Sequence, residues 1–456
     1  MNKILKLALF LLLLINSFSN ELIGDWYGAL NVSGTSLKIN VHFQKKSTFI
    51  GTIDIVSQNA KGILLTDIHF NKGLVQFKMK GISGNPSFNG ELKKGIIEGE
   101  YFQNSLKGSF VLKRGNPPKI NRPQTPKAPF SYLQEECSFQ GQKSLMFGTL
   151  TLPKEKGVYP VVILVSGSGP QDRDETIFMH KPFLVLADYL TKRGIAVFRY
   201  DDRGVGKSKG KFSEANTFDF AQDTKGALNY LQNRKDIDPL KIGIIGHSEG
   251  ASIADILASD SNNKLAFIVR LAGIGVSGHK VLKFQRKQGF IEKKIDSKLY
   301  HKNEEIFDKA FELIKKGLDK KSIVIQLLPI VESYSKLSKQ KIDGPNYAQV
   351  IYKALSSYWM RSFLELDASI YLSKIKIPVL IMNGTLDKQV DIEQNLPVIR
   401  EALKGNKKVK IELLDGLNHL FQKAKTGEVS EYQTIEETFN KKALKILGDW
   451  IQKQVN

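Results

Sequence analysis

The stretch "KIGIIGHSEGAS", residues 241–252, decides how this chain is read. An apolar run ends at two glycines that flank Ser248, and a helical pattern follows at once. A serine on so sharp a strand-to-helix turn is held in strain, and bulky side chains two residues to either side would crowd the approaching strand and helix. Gly246 and Gly250 remove that bulk. Gly-x-Ser-x-Gly in this context is a nucleophile elbow, which presents Ser248 at the top of a sheet. The helix that starts here also aims its first N–H groups at the site, where they favour negative charge.

A serine hydroxyl is a weak nucleophile and needs a base. The base in turn needs an acid that fixes its tautomer. On this kind of sheet the chain order is serine, acid, histidine. Downstream, "VLIMNGTLDKQV" is an apolar strand followed by a turn carrying Asp387, and "VKIELLDGLNHLF" is a strand followed by a loop carrying His419. No other histidine lies between His301 and the C-terminus. Asp391 and Asp415 compete with Asp387. Asp391 reads as the N-cap of the next helix, and Asp415 follows the wrong strand, so Asp387 is preferred. An oxyanion needs N–H donors held in place. One is expected from the backbone of Glu249, the other from the glycine loop of "VVILVSGSGPQDRDE", with Ser168 chosen and Gly169 the alternative. His247, beside the nucleophile, is expected to point away and to serve packing or the rim of the site.

Outward from the elbow, apolar strands alternate with amphipathic helices from about 131 to the C-terminus, the last helix starting near 434. This predicts a mostly parallel sheet covered on both faces, with its site at the carboxyl ends of the strands. A Lys-rich helical insert at about 276–365 interrupts the alternation and is expected to cap the site. Its Tyr358, Trp359 and Phe363 suit a substrate pocket or plain packing. "DDRGVGKSKG" ends like a phosphate-binding loop, but position 201 is Asp where that motif needs glycine, so no nucleotide site is expected.

Residues 20–114 show short alternating runs joined by Gly, Asn and Lys turns, predicting a small antiparallel β domain, a barrel or curled sheet. It holds no catalytic cluster; His42 and His69 sit in strands with structural roles expected. "GNPPKINRPQTPKAPF", 115–130, holds five prolines and reads as a stiff linker. Residues 1–19 carry Lys3 and Lys6, an apolar run to Ile15, then small residues, the layout of a secretory signal peptide. The run is short for a membrane span; an uncleaved anchor is the alternative. No cysteine follows it to carry a lipid. The expected location is exported, periplasmic or secreted, with no stable membrane span after signal removal. The one cysteine, Cys137, can form neither an internal disulfide nor a Cys-based zinc site. The 456 residues leave room for two domains, and the net charge of +21 is spread along the chain without a basic block, so no nucleic-acid partner is expected.

Three motifs in order, "GSGPQDRD" at 167–174, "YDDRGVGKS" at 200–208 and "GHSEG" at 246–250, make the region 131–456 resemble the α/β-hydrolase superfamily, and within it bacterial carboxylesterases. The resemblance implies Ser248 as nucleophile, Asp387 as acid and His419 as base, and hydrolysis of short to medium acyl esters without metal or organic cofactor. It extends to serine aminopeptidases and acyl thioesterases. For a peptidase, acids such as Glu249 or Glu332 would have to bind an amino terminus. A non-catalytic surface-binding protein is the alternative outside enzymes. The "SGSG" loop departs from the His-Gly loop of many lipases, and residues 20–114 lie outside the resemblance.

Overall fold

In the computed structural model the chain forms two compact units, 1–120 and 121–456. The structure describes residues 21–32, 35–55, 60–82, 84–104, 106–117, 121–154 and 156–456. The expected signal segment, 1–19, lies outside the described residues.

The first unit is a closed antiparallel barrel. Its strands are β1 (Gly24–Val32), β2 (Thr35–Lys45), β3 (Phe49–Ile55), β4 (Ala60–Asn71), β5 (Leu74–Met79), β6 (Ser87–Lys93), β7 (Ile96–Gln103) and β8 (Leu106–Arg114). Each pairs with the next, and β1 pairs with β8, which removes free edges. The alternating pattern sends Trp26, Phe43, Phe77, Phe88 and Phe110 inward, where they are fully buried. Phe77 and Phe88 stack at 4.5 Å between ring centroids. The interior is therefore a packed aromatic core. His42 is on the outer face, 2.7 Å from Asp25, and His69 is exposed.

The second unit is built on an eight-stranded sheet in the order β16-β15-β14-β13-β11-β12-β10-β9. The strands are β9 (Leu133–Gln140), β10 (Leu145–Leu152), β11 (Tyr159–Val165), β12 (Ala196–Tyr200), β13 (Ile237–His247), β14 (Phe267–Leu271), β15 (Val379–Gly384) and β16 (Val409–Leu414). From β12 to β16 all pairings are parallel; β10 is antiparallel to both β9 and β12. This is the α/β-hydrolase arrangement, preceded by a small β domain.

Helices cover both faces, as a two-sided apolar sheet requires. On one face α2 (Thr217–Gln232) and α3 (Glu249–Ala258) bury Phe220, Leu228, Ile253 and Leu257 against Ile163, Phe198 and Ile244. On the other, α1 (Pro182–Thr191) and α11 (Lys441–Val455) bury Phe183, Leu186, Leu447 and Ile451 against Val162, Val197 and Val269. Asn216 closes a capping box on α2: its Oδ1 accepts from Asp219 N–H while Asp219 Oδ2 accepts from Asn216 N–H. The last helix begins at Lys441, capped by Asn440, rather than near 434; the residues before it form a loop that holds other groups.

Between β14 and β15 five helices form the insert: α4 (Gly278–Glu292), α5 (Ser297–Lys315), α6 (Lys320–Ser338), α7 (Gly344–Ser356) and α8 (Tyr358–Glu365). They enclose their own small core of Ile306, Leu313, Ile323, Leu327 and Ile351. Two helices, α9 (Ala368–Leu372) and α10 (Ile392–Ala402), complete the unit.

The proline-rich stretch differs from a free spacer over its second half. The Arg122 guanidinium donates to the carbonyls of Phe178, Gln433 and Ile435, and Gln124 Oε1 accepts from Thr438 and Phe439 N–H. Proline spacing shows that this chain is extended but carries no sign of what it docks on. Residues 118–120 lie outside the described residues.

Candidate active site

Ser248 sits between β13 and α3 with φ 54° and ψ −116°, a backbone state a non-glycine residue adopts only when its surroundings force it. The forces are visible. A Cβ on Gly246 would lie 2.1 Å from Gly250 O, and one on Gly250 would lie 2.1 Å from Val165 O at the end of β11. Ser248 N–H donates to Leu271 O at 2.8 Å, which ties the turn to β14. His247 and Glu249 are buried on either side, while Ser248 is only part-buried. Among the described residues, Ser248 Oγ has no hydrogen-bond partner; such contacts often form only once substrate is bound.

His419 follows β16. Asn418 Oδ1 accepts from Leu420 and Gln422 N–H, folding a tight turn that holds the imidazole inward. His419 Nδ1 lies 2.8 Å from Asp387 Oδ2, and both side chains are buried. Asp387 sits just past β15 and is itself held: its Oδ1 accepts from Gln389 and Val390 N–H at 2.8 and 2.9 Å, its Oδ2 from Asn383 Nδ2 at 3.2 Å. A Cβ on Gly384 would lie 2.1 Å from Leu417 O, so the two loops approach because that residue is glycine. The rival acids are elsewhere. Asp391 caps α10 through Gln394 N–H, and Asp415 accepts from Thr385 Oγ1 at the surface.

The loop after β11 passes over the serine. A Cβ on Gly167 would lie 3.2 Å from Ser248 Cβ. Gly167 N–H is taken by Glu175 Oε1 at 2.7 Å, but the N–H groups of Ser168, Gly169 and Glu249 have no acceptor among the described residues. Gln171 N–H donates to Asp202, and Arg173 grips Asp201 with Nε and Nη2 at 3.0 and 2.7 Å, so the loop after β12 braces this one. Asp174 pairs with Arg199 and Lys181. The phosphate-loop look-alike is part of this scaffold. Gly206 packs over the Asp201 carboxylate, and Ser208 Oγ donates to Asp201 O.

His247 corrects the expectation of a mere packing or rim residue. It is 5% exposed, and both ring nitrogens are engaged: Nδ1 with Glu175 Oε1 at 2.8 Å, Nε2 with His419 O at 3.0 Å. Glu175 was not visible as a site residue; it ends the "GSGPQDRDE" stretch, and only a left-handed backbone at φ 51° turns it toward the elbow.

The insert reaches the elbow at Trp359. Trp359 Nε1 donates to Glu249 Oε1 at 2.9 Å, beside Thr217 Oγ1 at 2.6 Å. Burial pushes the Glu249 carboxyl above its ordinary value, and these two donors only partly offset it. Phe363 stacks on Trp359 at 5.3 Å, whereas Tyr358 is exposed and lines a separate cavity of about 660 Å³ with Phe218, Phe311, Arg361 and Tyr371. Glu332 is at the surface of α6, paired with Lys336. Thus Glu332 is paired at the surface, and Oε1 of Glu249 is already engaged. No metal-binding cluster of His, Cys, Asp or Glu occurs among the described residues, and no helix among them is long and apolar enough to cross a membrane.

Esterase EstD of Thermotoga maritima is 26% identical over 328 residues, covering 72% of this chain and 67% of that protein. YfhR of Escherichia coli K12 is 30% identical over 113 residues, covering 23% of this chain and 39% of that protein. The solved structure of the Pyrococcus furiosus esterase Pf2001 aligns over 74% of this chain and 99% of its own, at 17% identity and a TM-score of 0.45. The family described as serine aminopeptidase, S33, matches residues 181–423. That match takes in the elbow, Asp387 and His419 and spans more than half of the sequence, and the chain belongs to this S33 family of serine hydrolases.

Proposed function

We propose that the protein is an exported serine hydrolase that cleaves carboxylic esters of small molecules through an acyl-enzyme. The observation that carries this reading is the buried Asp387–His419 pair in the loops beside an elbow whose serine has a forced backbone. Similarity to an esterase, EstD, supports the ester class over the peptide class. So does the burial of Glu249, which raises its carboxyl above the ordinary value and disfavours the charge that an ammonium group would need. Export rests on the layout of residues 1–19.

In this mechanism Ser248 Oγ attacks the ester carbonyl as its proton passes to His419 Nε2. Asp387 keeps the other ring proton on Nδ1 and stabilises the imidazolium. The carbonyl oxygen becomes an oxyanion held by the N–H groups of Glu249 and Ser168 at the positive end of α3. Collapse breaks the ester bond, and the alcohol leaves with the proton from His419. Water, deprotonated by His419, then attacks the acyl-serine and releases the acid.

The test is a rate profile of the protein lacking residues 1–19 over p-nitrophenyl esters of rising chain length, acyl thioesters and aminoacyl p-nitroanilides. Ester turnover exceeding that of aminoacyl amides supports the reading. Preferred cleavage of substrates with a free amino terminus overturns it in favour of a peptidase.

A further inference from the structure

A second buried acid–histidine pair lies behind the first. Glu175 Oε1 accepts from Gly167 N–H at 2.7 Å and meets His247 Nδ1 at 2.8 Å. His247 Nε2 meets the main-chain carbonyl of His419 at 3.0 Å. Glu175 and His247 are 1% and 5% exposed. A carbonyl oxygen only accepts, so Nε2 carries a proton. Glu175 Oε1, already accepting from Gly167, is satisfied as a carboxylate with a second donor in Nδ1–H. With Glu175 ionised the ring is an imidazolium, and its charge is matched by the carboxylate it touches.

The three contacts run between elements that meet nowhere else in sequence. Gly167 belongs to the loop whose next N–H groups have no acceptor among the described residues, and its backbone is packed against Ser248 Cβ. His419 belongs to the loop that carries the base. The rings of His247 and His419 lie 4.8 Å apart between centroids. One pair thus fixes the donor loop and the base loop to the residue next to the nucleophile.

We propose that Glu175 and His247 are positioning residues for hydrolysis, a buried ion pair that locks the oxyanion loop and the His419 loop to the elbow and lets go of His419 when the pair loses its proton. This rests on the serine-hydrolase reading above. The titratable groups facing the ring are Glu175 from the loop after β11, Asp387 from the loop after β15 and His419 from the loop after β16. Burial alone lowers the affinity of His247 for its proton; the Glu175 charge, its hydrogen bond and the His419 carbonyl together raise it above the ordinary histidine value. Once the proton is gone, a bare ring nitrogen faces either the His419 carbonyl or the Glu175 carboxylate, and one contact becomes repulsive.

The test compares wild type, Glu175→Gln and His247→Gln, with active sites counted by a phosphonate titrant and kcat measured against pH on p-nitrophenyl acetate. The expected result is a fall in kcat of about 10- to 100-fold per active site with KM little changed, as for a displaced catalytic group. In wild type kcat also falls on the alkaline side. That fall moves to lower pH in Glu175→Gln and vanishes in His247→Gln. Variant pH profiles that superimpose on wild type overturn the inference while leaving the hydrolase reading intact. A wild type that neither turns over ester nor reacts with the phosphonate overturns the hydrolase reading itself. If neither variant folds, ring-nitrogen NMR of the wild type decides. A histidine protonated on both nitrogens at about pH 8, well above the ordinary value, supports the pair, and a full set of neutral histidines there overturns it.

Discussion

The imidazole of His419 hangs from the carboxylate of Asp387 at 2.8 Å, and Asp387 in turn takes three further hydrogen bonds from Asn383, Gln389 and Val390. The Asp387 carboxylate is therefore held by donors other than the imidazole it meets. Asp387→Asn would present an amide where Nδ1–H needs an acceptor and would favour the wrong tautomer. We expect kcat for ester hydrolysis to drop by about 10⁴-fold with the fold intact, measured by steady-state kinetics alongside circular dichroism.

Gly250→Ala tests the packing of the elbow. The added methyl would meet Val165 O at 2.1 Å and Ser166 O at 2.6 Å, both backbone atoms that cannot rotate away. Either β11 or α3 must shift. A loss of about 1–3 kcal/mol in urea unfolding is expected, together with a loss of activity larger than the stability change explains.

Trp359→Phe removes one of two donors to the buried Glu249 carboxylate. That carboxyl already holds its proton more tightly than in the unfolded chain, chiefly through burial. An acid of this kind favours the fold fully below its unfolded pKa, and the benefit is lost as pH rises through the folded one. Losing the indole donor raises the folded value further. The variant should match wild type most closely in acid and fall behind it as pH rises, by about 1–3 kcal/mol at neutrality. Denaturant midpoints across the pH range check this.

Arg270 and Asp255 form an ion pair with no exposure on either side chain. Burial pushes Asp255 up to about 6 even though Arg270 pulls it down. Arg270→Met would strand the carboxylate and should cost about 3–5 kcal/mol at neutral pH. Without Arg270 the stranded acid takes its proton at higher pH than in wild type, so the deficit should shrink as pH falls toward about 6 and level off below it, which thermal melts at several pH values would reveal.

The elbow was legible because two glycines at fixed spacing from Ser248 answer to contacts within a few residues and with one strand end, and Asp387 and His419 because each follows an apolar strand in the required order. Glu175 was not, since its approach to His247 depends on a turn of the loop after β11 that apolar periodicity does not encode. His247 had a neighbour rule against it, since adjacent side chains on a sharp turn diverge, yet its ring meets the buried Glu175 carboxyl group and the His419 carbonyl. The docking of Arg122 on carbonyls near 433–435 was equally hidden, because the acceptors are backbone and leave no mark in residue type. In the insert, Trp359 and Phe363 share a stacked face while Tyr358 does not, a division that helical spacing permits but cannot assign to one side or the other.

The central claim is that Ser248 is the nucleophile, and the rate of p-nitrophenyl acetate hydrolysis by folded Ser248→Ala tests it most directly. The account predicts a fall in kcat of about 10⁵- to 10⁶-fold, as in other hydrolases stripped of this hydroxyl. Hydrolysis by the variant at the wild-type rate would contradict it.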